Sequence, residues 1–313
     1  MASSIVVVGS SNTDMVLKTA RFPKPGETIL GGDFFMFQGG KGANQAVAAA
    51  RLGGEVTFIC KVGADIFGEN AIQHYEKEGI NVQQILKTYD APTGVALITV
   101  NAEGENEIVV AQGANAQLSV ADMQATDNVL LAADYFLTQL ETPLETIGYL
   151  VDFAQLHQKK LILNPAPAAV LPEAVYKNLF LITPNETETE ILTGVEVTDA
   201  ATAQQAAEVF KAKGVLNVII TMGSKGAYVF TPDFQGMIET VKVTAVDTTA
   251  AGDVFNGALV VALSEQKTWQ EAVSFACKAA AVSVTQMGAQ ASAPFRRQVE
   301  WPLSIPMKIG IKN

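Results

Sequence analysis

Short apolar runs alternate with helix-period stretches along most of this 313-residue chain, and that alternation limits the possible folds more than any other feature. The runs are Ile5–Val8, Val56–Val62, Tyr135–Leu140, Leu161–Leu163, Leu179–Ile182 and Val218–Met222. They are rich in β-branched and large apolar residues and are bounded by polar residues, glycine or proline, as strands buried on both faces should be. Between them, Ile147, Leu150, Val151 and Ala154 recur at helix spacing. So do Phe255, Ala258, Leu259, Ala262 and Leu263, and again Val273, Ala276, Cys277, Ala280, Ala281 and Val284. Such stripes are core-facing sides of helices. The pattern predicts an α/β fold with a mainly parallel central sheet and helices on both faces.

Two segments break the rhythm. Residues 12–38 carry Pro23, Pro25 and several glycines with no helical period, and Val95–Val100 and Glu107–Ala111 read as a hairpin around Glu103-Gly104. Both are strand-like, and neither is expected to lead into a helix. They predict a small separate β-sheet, a lid formed from about 12–40 and 94–112, although an edge extension of the main sheet explains the same letters. The last stretch, Phe295–Asn313, has Pro302 and Pro306 and no clear period.

Hydrophobic residues make up 49% of the chain and charged residues 17%, enough to bury a sizeable core. The net charge of −11 argues against nucleic acid as a partner, since binding a phosphate backbone needs a basic surface. A nucleotide needs only a local positive field. Cys60 and Cys277 have no CxxC spacing and suggest neither a disulfide framework nor a zinc site. His74 and His157 sit apart in polar, helix-like stretches and read as ordinary surface residues, so a histidine metal site or a Ser-His-Asp triad is poorly supplied. Ile5–Val8 is too short for a signal peptide, and no apolar stretch is long enough to span a membrane, which makes a cytoplasmic location the default expectation.

Five segments carry chemistry. In Val246-Asp247-Thr248-Thr249-Ala250-Ala251-Gly252-Asp253, three small residues leave backbone N–H groups uncovered where a helix begins, an arrangement that favours phosphate. Asp253 would repel that phosphate as a mere binder. As a general base it has a use, accepting the proton of an attacking hydroxyl, although a dipole-favoured carboxylate explains the same letter. Gly39-Gly40-Lys41-Gly42-Ala43-Asn44 opens a small-residue helix and is not a Walker A loop; it offers close backbone approach with Lys41 and Asn44 as donors, or simply a tight turn. Asn12 and Asp14 follow the first strand two residues apart, so an extended chain points both the same way; the pair suits a polyhydroxyl ligand or an Asx turn. Asn185 and Glu188 suit phosphates or hydrated Mg²⁺, or a helix cap. Thr221-Met222-Gly223-Ser224-Lys225-Gly226 suits nucleotide phosphates, or a plain hairpin turn.

Taken together, these segments resemble the ribokinases among the PfkB-type carbohydrate kinases, over roughly Ile5 to Ser292. The Gly-Gly-Lys-Gly-Ala-Asn-Gln-Ala run from Gly39 and the Asp-Thr-Thr-Ala-Ala-Gly-Asp run ending at Asp253 carry the resemblance. Asn12/Asp14, Gln139-Leu140-Glu141-Thr142-Pro143, Asn164-Pro165-Ala166-Pro167-Ala168 and Gly288-Ala289-Gln290 narrow it. The resemblance implies one α/β kinase domain over 1–313, with a β lid that often also forms a homodimer interface. It implies D-ribose and ATP as substrates, with Mg²⁺ and K⁺. Asn12, Asp14, Gly40, Lys41, Asn44 and Glu141 would hold the sugar, with Asp253 as base and Ala250, Ala251 and Gly252 as anion hole. Asn185, Thr221, Gly223, Ser224, Lys225, Gly226 and Gly252 would lie along ATP, with Glu188 near Mg²⁺ and phosphate. By position, a K⁺ site would use Asp247, Thr249, Ser283, Gln286, Gly288 and Ser292, mostly through backbone carbonyls. Three features depart from the pattern. Cys277 stands where histidine is common near the adenine, Ala291 stands where proline is common, and the tail after Phe295 does not look like the usual terminal helix.

The expectation is direct in-line transfer to the ribose 5-hydroxyl. Kinases for deoxyribose, fructose or adenosine are rivals inside the class, and the polar Asn12/Asp14/Lys41/Asn44/Glu141 set is a poor fit to a nucleoside base. A sugar-binding regulator on the same fold is the rival outside it, and such a protein could afford to lose Asp253 or the small-residue run.

Overall fold

The computed structural model describes residues 4–300. Nine strands form the main sheet: β1 (Ile5–Val8), β4 (Val56–Gly63), β5 (Ile85–Thr88), β8 (Tyr135–Thr138), β9 (Lys160–Leu163), β10 (Leu181–Ile182), β11 (Asn217–Thr221), β12 (Ala227–Phe230) and β13 (Gln235–Ile238). Their order is β13-β12-β11-β10-β9-β8-β1-β4-β5. All neighbours from β11 to β5 are parallel, while β12 and β13 close one edge as antiparallel hairpins. The helices are α1 (Lys41–Arg51), α2 (Ile66–Lys77), α3 (Val120–Ala125), α4 (Asp127–Ala132), α5 (Leu144–Leu156), α6 (Glu173–Tyr176), α7 (Glu186–Thr193), α8 (Ala200–Ala212), α9 (Ala251–Ser264), α10 (Trp269–Ser283) and α11 (Arg296–Glu300).

Two apolar cores lie on the two faces of this sheet, and strand alternation sorts residues between them. Ile5 and Val7 of β1 enter one core, with Leu137, Ile162 and Ile219. Val6 and Val8 enter the other, with Phe136, Leu161, Leu163, Val218 and Ile220. That two-sided burial is why these runs are continuously apolar in sequence.

The second sheet has four strands in the order β3-β2-β6-β7, from β2 (Asn12–Lys18), β3 (Phe34–Gly39), β6 (Gly94–Val100) and β7 (Asn106–Ala111). β2 and β6 are parallel, and the outer pairings are antiparallel. One sequence expectation is corrected here: β3 runs directly into α1, through Gly40 at a φ of 88°. A Cβ at Gly40 would meet Asn12 N at 2.9 Å and Ser10 O at 3.0 Å, so only glycine makes this corner. The period-free tail contains α11 (Arg296–Glu300); the rest of that stretch lies outside the described residues. Among the described residues no helix is long and apolar enough to cross a membrane. Both cysteines are free and buried. His157 is exposed, but His74 is half-buried and its Nε2 lies 2.9 Å from Gln290 Oε1, so it is not an ordinary surface residue.

Candidate active site

The candidate residues gather along the carboxyl ends of the parallel strands, where open α/β sheets bind ligands. Asn12 and Asp14 follow β1, Gln139 and Glu141 follow β8, and Asn164 follows β9. Asn185 follows β10, and Gly223, Ser224 and Gly226 follow β11. The strand order reverses at β1, which has β4 on one side and β8 on the other.

Close packing between α1 and α9 sets the centre. A Cβ on Gly257 would lie only 2.7 Å from Ala48 Cβ, so the helices touch backbone to backbone. That brings the first turn of α1 against the first turn of α9. Asn44 Nδ2 donates to Asp253 Oδ2 at 2.9 Å, and Gln45 Nε2 donates to Asp253 Oδ1 at 3.0 Å. Asp253 is 5% exposed. Burial pushes its carboxyl above the usual range, against the pull of the Lys41 charge and of the Asn44 and Gln45 bonds. Each carboxylate oxygen keeps a lone pair beyond these bonds, so Asp253 can still accept a proton.

The α9 N-terminus is open to an anion. Ala250 has a φ of 59°, and no side chain caps the helix. Ala251 N–H donates to Thr248 O at 3.2 Å, whereas the N–H groups of Gly252 and Asp253 have no partner among the described residues. A cavity of about 170 Å³ lies in front of them, lined by Lys41, Asn164, Thr183, Glu188, Gly252 and Asp253 among others. Burial would lower the pKa of Lys41, but Asp253, Glu141 and Glu188 hold it above its ordinary value, so its charge is kept.

Behind Asp253 lies a polar cage. Glu141 Oε2 accepts from Ser10 Oγ at 2.5 Å and from Lys41 N at 3.0 Å, pinning the Gly39–Lys41 corner to the loop after β1. Asn12 Oδ1 accepts from Asn115 Nδ2 at 2.7 Å. Asp14 is pushed up to about 7, first by burial and then by the charges of Glu141 and Asp253. Its carboxylate occupies the space over Gly39, where a Cβ would fall 2.2 Å from Asp14 Oδ2. Asn44 Oδ1 is buried with no hydrogen-bond partner.

On the other side of Gly252 a second cavity opens, of about 620 Å³. Asn185, Thr221, Gly223, Ser224 and Gly226 line it, and Phe255, Cys277, Ala280 and Val284 form an apolar end. Burial pushes the Cys277 thiol up to about 12, so it presents a neutral surface. Lys225 does not line this cavity, and its Nζ donates to Thr198 O at 2.7 Å. Residues 223–226 are indeed a turn between β11 and β12, and Gly223, Ser224 and Gly226 of that turn line the cavity as well. Asn185 and Glu188 form a reciprocal capping box on α7 (2.8 and 2.9 Å), so the cap reading holds too. Burial raises the Glu188 pKa, and Glu188 also faces the smaller cavity.

Asp247 ties two loops together. Its Oδ1 accepts from Thr249 N at 2.9 Å and its Oδ2 from Gly288 N at 2.8 Å. Burial opposes its ionisation, but these bonds hold its pKa below the usual value. Ser283, Gln286, Gly288 and Ser292 lie on the adjoining end of α10 and its following loop, where Gln286 N donates to Ser283 O at 3.0 Å. The available donors there are all oxygens, which fits a hard cation.

Sequence reasoning passed over Gln45, Asn164 and Asn115 as site residues. Gln45 Nε2 reaches both Asp253 and Asn164 Oδ1 (2.9 Å), and Gln139 Nε2 donates to Gln45 Oε1 at 2.6 Å. A glutamine directly before the alanine-rich Ala46–Ala50 stretch was the available signal, and the structure buries it completely. Asn115, on a short helical turn distant in sequence, gave none.

The profile of the pfkB family carbohydrate kinases matches residues 2–296. The ribokinase of Haemophilus influenzae is 45% identical over 298 residues, covering 95% of this chain and 97% of that protein. The deoxyribokinase of Salmonella typhi is 40% identical over 303 residues, covering 96% and 99%. The structure of Arabidopsis thaliana ribokinase complexed with ribose and ATP superimposes with a TM-score of 0.89 at 30% identity, covering 96% of this chain and 98% of that one. This chain therefore belongs to the pfkB family of carbohydrate kinases, and it is a sugar kinase that works with ATP.

Proposed function

We propose that this kinase phosphorylates D-ribose at O5, giving D-ribose 5-phosphate and ADP by direct in-line transfer. The observation that carries the proposal is the position of Asp253: a buried carboxylate, fixed by two amides, at the mouth of an uncapped helix and between a polar cage and a nucleotide-sized cavity. In this reading Asn12, Asp14, Lys41, Asn44 and Glu141 hold the sugar hydroxyls. The unpartnered Asn44 Oδ1 is an acceptor suited to one of them. Asp253 takes the O5 proton as O5 attacks the γ-phosphoryl. The backbone of Ala250, Ala251 and Gly252 meets the charge that develops, and Lys41 adds a fixed positive charge beside it. ATP lies in the larger cavity with its phosphates toward Gly252 and its base toward Cys277.

Among the described residues no group of three acidic, histidine or cysteine side chains could hold a metal alone. Mg²⁺ would therefore be held chiefly by the phosphates of ATP, with Glu188 beside it. K⁺ would sit in the oxygen-lined loops around Asp247 and Gly288 and steady the anion hole they border. Exposed Phe34, Phe35, Met36, Leu97 and Val109 on the small sheet support a homodimer formed through it, with the same sheet acting as the lid over the sugar. The acidic chain, with no helix among the described residues long and apolar enough to cross a membrane, accords with a cytoplasmic place of work.

The test is ADP release from ATP·Mg²⁺ with a sugar panel, with and without K⁺. Turnover that prefers ribose and rises with K⁺ is expected. Preference for deoxyribose or fructose would move the substrate, and no turnover with any sugar would overturn the reading.

A further inference from the structure

We propose that Gln139 is a positioning residue for the base: it touches none of the reacting groups and, through Gln45, holds the Asp253 carboxylate in place. The proposal rests on the reading of Asp253 as the base of a ribose kinase.

Hydrogen bonds join these side chains without a gap. Gln139 Nε2 donates to Gln45 Oε1 at 2.6 Å, and Gln45 Nε2 donates to Asp253 Oδ1 at 3.0 Å. The other hydrogen on Gln45 Nε2 goes to Asn164 Oδ1 at 2.9 Å, while Asn164 Nδ2 donates to Thr183 O at 3.2 Å. Gln139, Gln45, Asn164 and Asp253 come from the loop after β8, from α1, from the loop after β9 and from α9. Each is 6% exposed or less. Gln139 lines neither cavity, so it meets neither ligand directly.

Chemistry fixes the polarity of the series. An ionised carboxylate only accepts, so Gln45 must turn its nitrogen toward Asp253. Its oxygen then faces Gln139, which must offer a donor. Were the Gln45 amide turned over, its oxygen would oppose both Asp253 Oδ1 and Asn164 Oδ1 in a buried space, where such a clash is costly. Gln139 supplies the N–H that completes the productive orientation.

Packing does not account for an amide at this position. Gln139 Oε1 is buried with no hydrogen-bond partner among the described residues, a desolvation cost that methionine of similar shape would avoid. The fold nonetheless keeps room for that oxygen, since a Cβ on Gly9 would fall 2.1 Å from it. What the amide contributes is the N–H that Gln45 Oε1 receives.

The consequence for the reaction is electrostatic. The Gln45 bond favours the charged form of Asp253 against burial, as the Lys41 charge and the Asn44 bond do, while Glu141 opposes it. Asp14 and Glu188 share the field of the Asp253 charge. Lys41, Glu141, Asp14 and Glu188 make no side-chain hydrogen bond to Gln139 or Gln45, so their influence carries over when Gln139 is changed. Loosening Gln45 leaves Asp253 with Asn44 as its remaining side-chain donor and moves its ionisation to higher pH.

The test is Gln139→Met, Gln45→Met and the double variant, read as kcat against pH at saturating ribose and ATP·Mg²⁺. In Gln139→Met, kcat near neutral pH should fall about tenfold and the acid limb should move up by about one pH unit. The KM values for ribose and ATP should stay within about twofold, since no binding contact is lost. The gap to wild type should narrow as pH rises. Gln45→Met should shift the limb at least as far, and the double variant should be no worse than Gln45→Met, because Gln139 acts only through Gln45. Should Gln139→Met fail to fold, Gln139→Leu serves in its place with the same expectation. A loss equal at every pH, an unchanged kcat, or a double variant that compounds the two single losses would each overturn the positioning role. A wild-type protein that does not phosphorylate ribose, or an Asp253→Asn variant that keeps its turnover, would instead overturn the functional reading beneath it.

Discussion

The two sheets of this molecule are built from similar residues and solve opposite problems. In the main sheet β1, β8 and β10 are buried along their whole length, because helices cover both faces. In the small sheet β7 is exposed at every position, and β3 is exposed from Phe34 to Phe37, although both are strongly apolar. Apolarity in the first case is consumed inside the protomer; in the second it is held outside, beside the one carboxylate whose pKa is pushed to about 7. The main sheet is a frame, and the small sheet presents an apolar surface.

The largest expected effect lies in the frame. Asp253→Asn should lower kcat by roughly 10² to 10⁴. Because burial already disfavours the ionised carboxyl, the thermal midpoint should hold or rise. Near-normal turnover in the folded variant would remove Asp253 as the base.

Next come substitutions that set the two sheets against each other directly. Leu137→Ala, in β8 with a side chain that is 0% exposed, should cost about 2–5 kcal/mol in chemical denaturation at any protein concentration. Val109→Lys, in β7 at 68% exposure, should leave the separated protomer's stability within about 0.5 kcal/mol. It should also shift the particle mass toward one chain in light scattering. A mass that does not respond would remove the small sheet as the pairing surface.

A smaller effect belongs to Asp14. Its folded pKa of about 7 lies above the ordinary 3.8, so the folded state favours the neutral acid. That contribution is fully present below pH 3.8 and is lost as pH rises through about 7. Asp14→Asn, neutral throughout, should therefore melt higher than wild type by roughly a few degrees at pH 8, with the gain fading toward pH 4. Ribose affinity should fall in the same variant. A gain that does not vary with pH would show that Asp14 is not ionised against its surroundings. The smallest effect is expected at Cys277→Ala. The neutral thiol forms only part of an apolar wall, so the KM for ATP should change less than about threefold.

Much of the frame was legible because each strand and helix advertises its buried face locally. The stripes at 147–154, 255–263 and 273–284 fall on α5, α9 and α10, with Val284 one residue past the end of α10, and all six apolar runs overlap main-sheet strands. Strand β13 was missed, since Gln235–Ile238 carries glycine and glutamine and no apolar run, and β5 and β12 were passed over as well. The direct passage from β3 into α1 was missed because the aperiodic 12–38 segment was read as leading into no helix, although Gly39-Gly40 was read as opening one through a possible tight turn. Within the site, Asp253, Asn44 and Lys41 stood out by type and spacing. Lys225 stood out as well, yet its side chain turns to Thr198, because nothing in a sequence fixes where a long flexible side chain goes.

By itself the sequence determined the class of fold, the two small-residue motifs at Gly39–Asn44 and Asp247–Asp253 and the family they resemble, because periodicity and small-residue runs act over a few neighbouring positions. Only the tertiary structure decided which groups share a proton, a cavity or a charge. Asn44 and Gln45 meet Asp253 across more than two hundred residues because α1 and α9 pack closely. Asp14 is pushed to about 7 only because Glu141 and Asp253, from two other loops, are folded against it in a buried space. Pairings of that kind depend on distance and desolvation through space, which residue order does not encode.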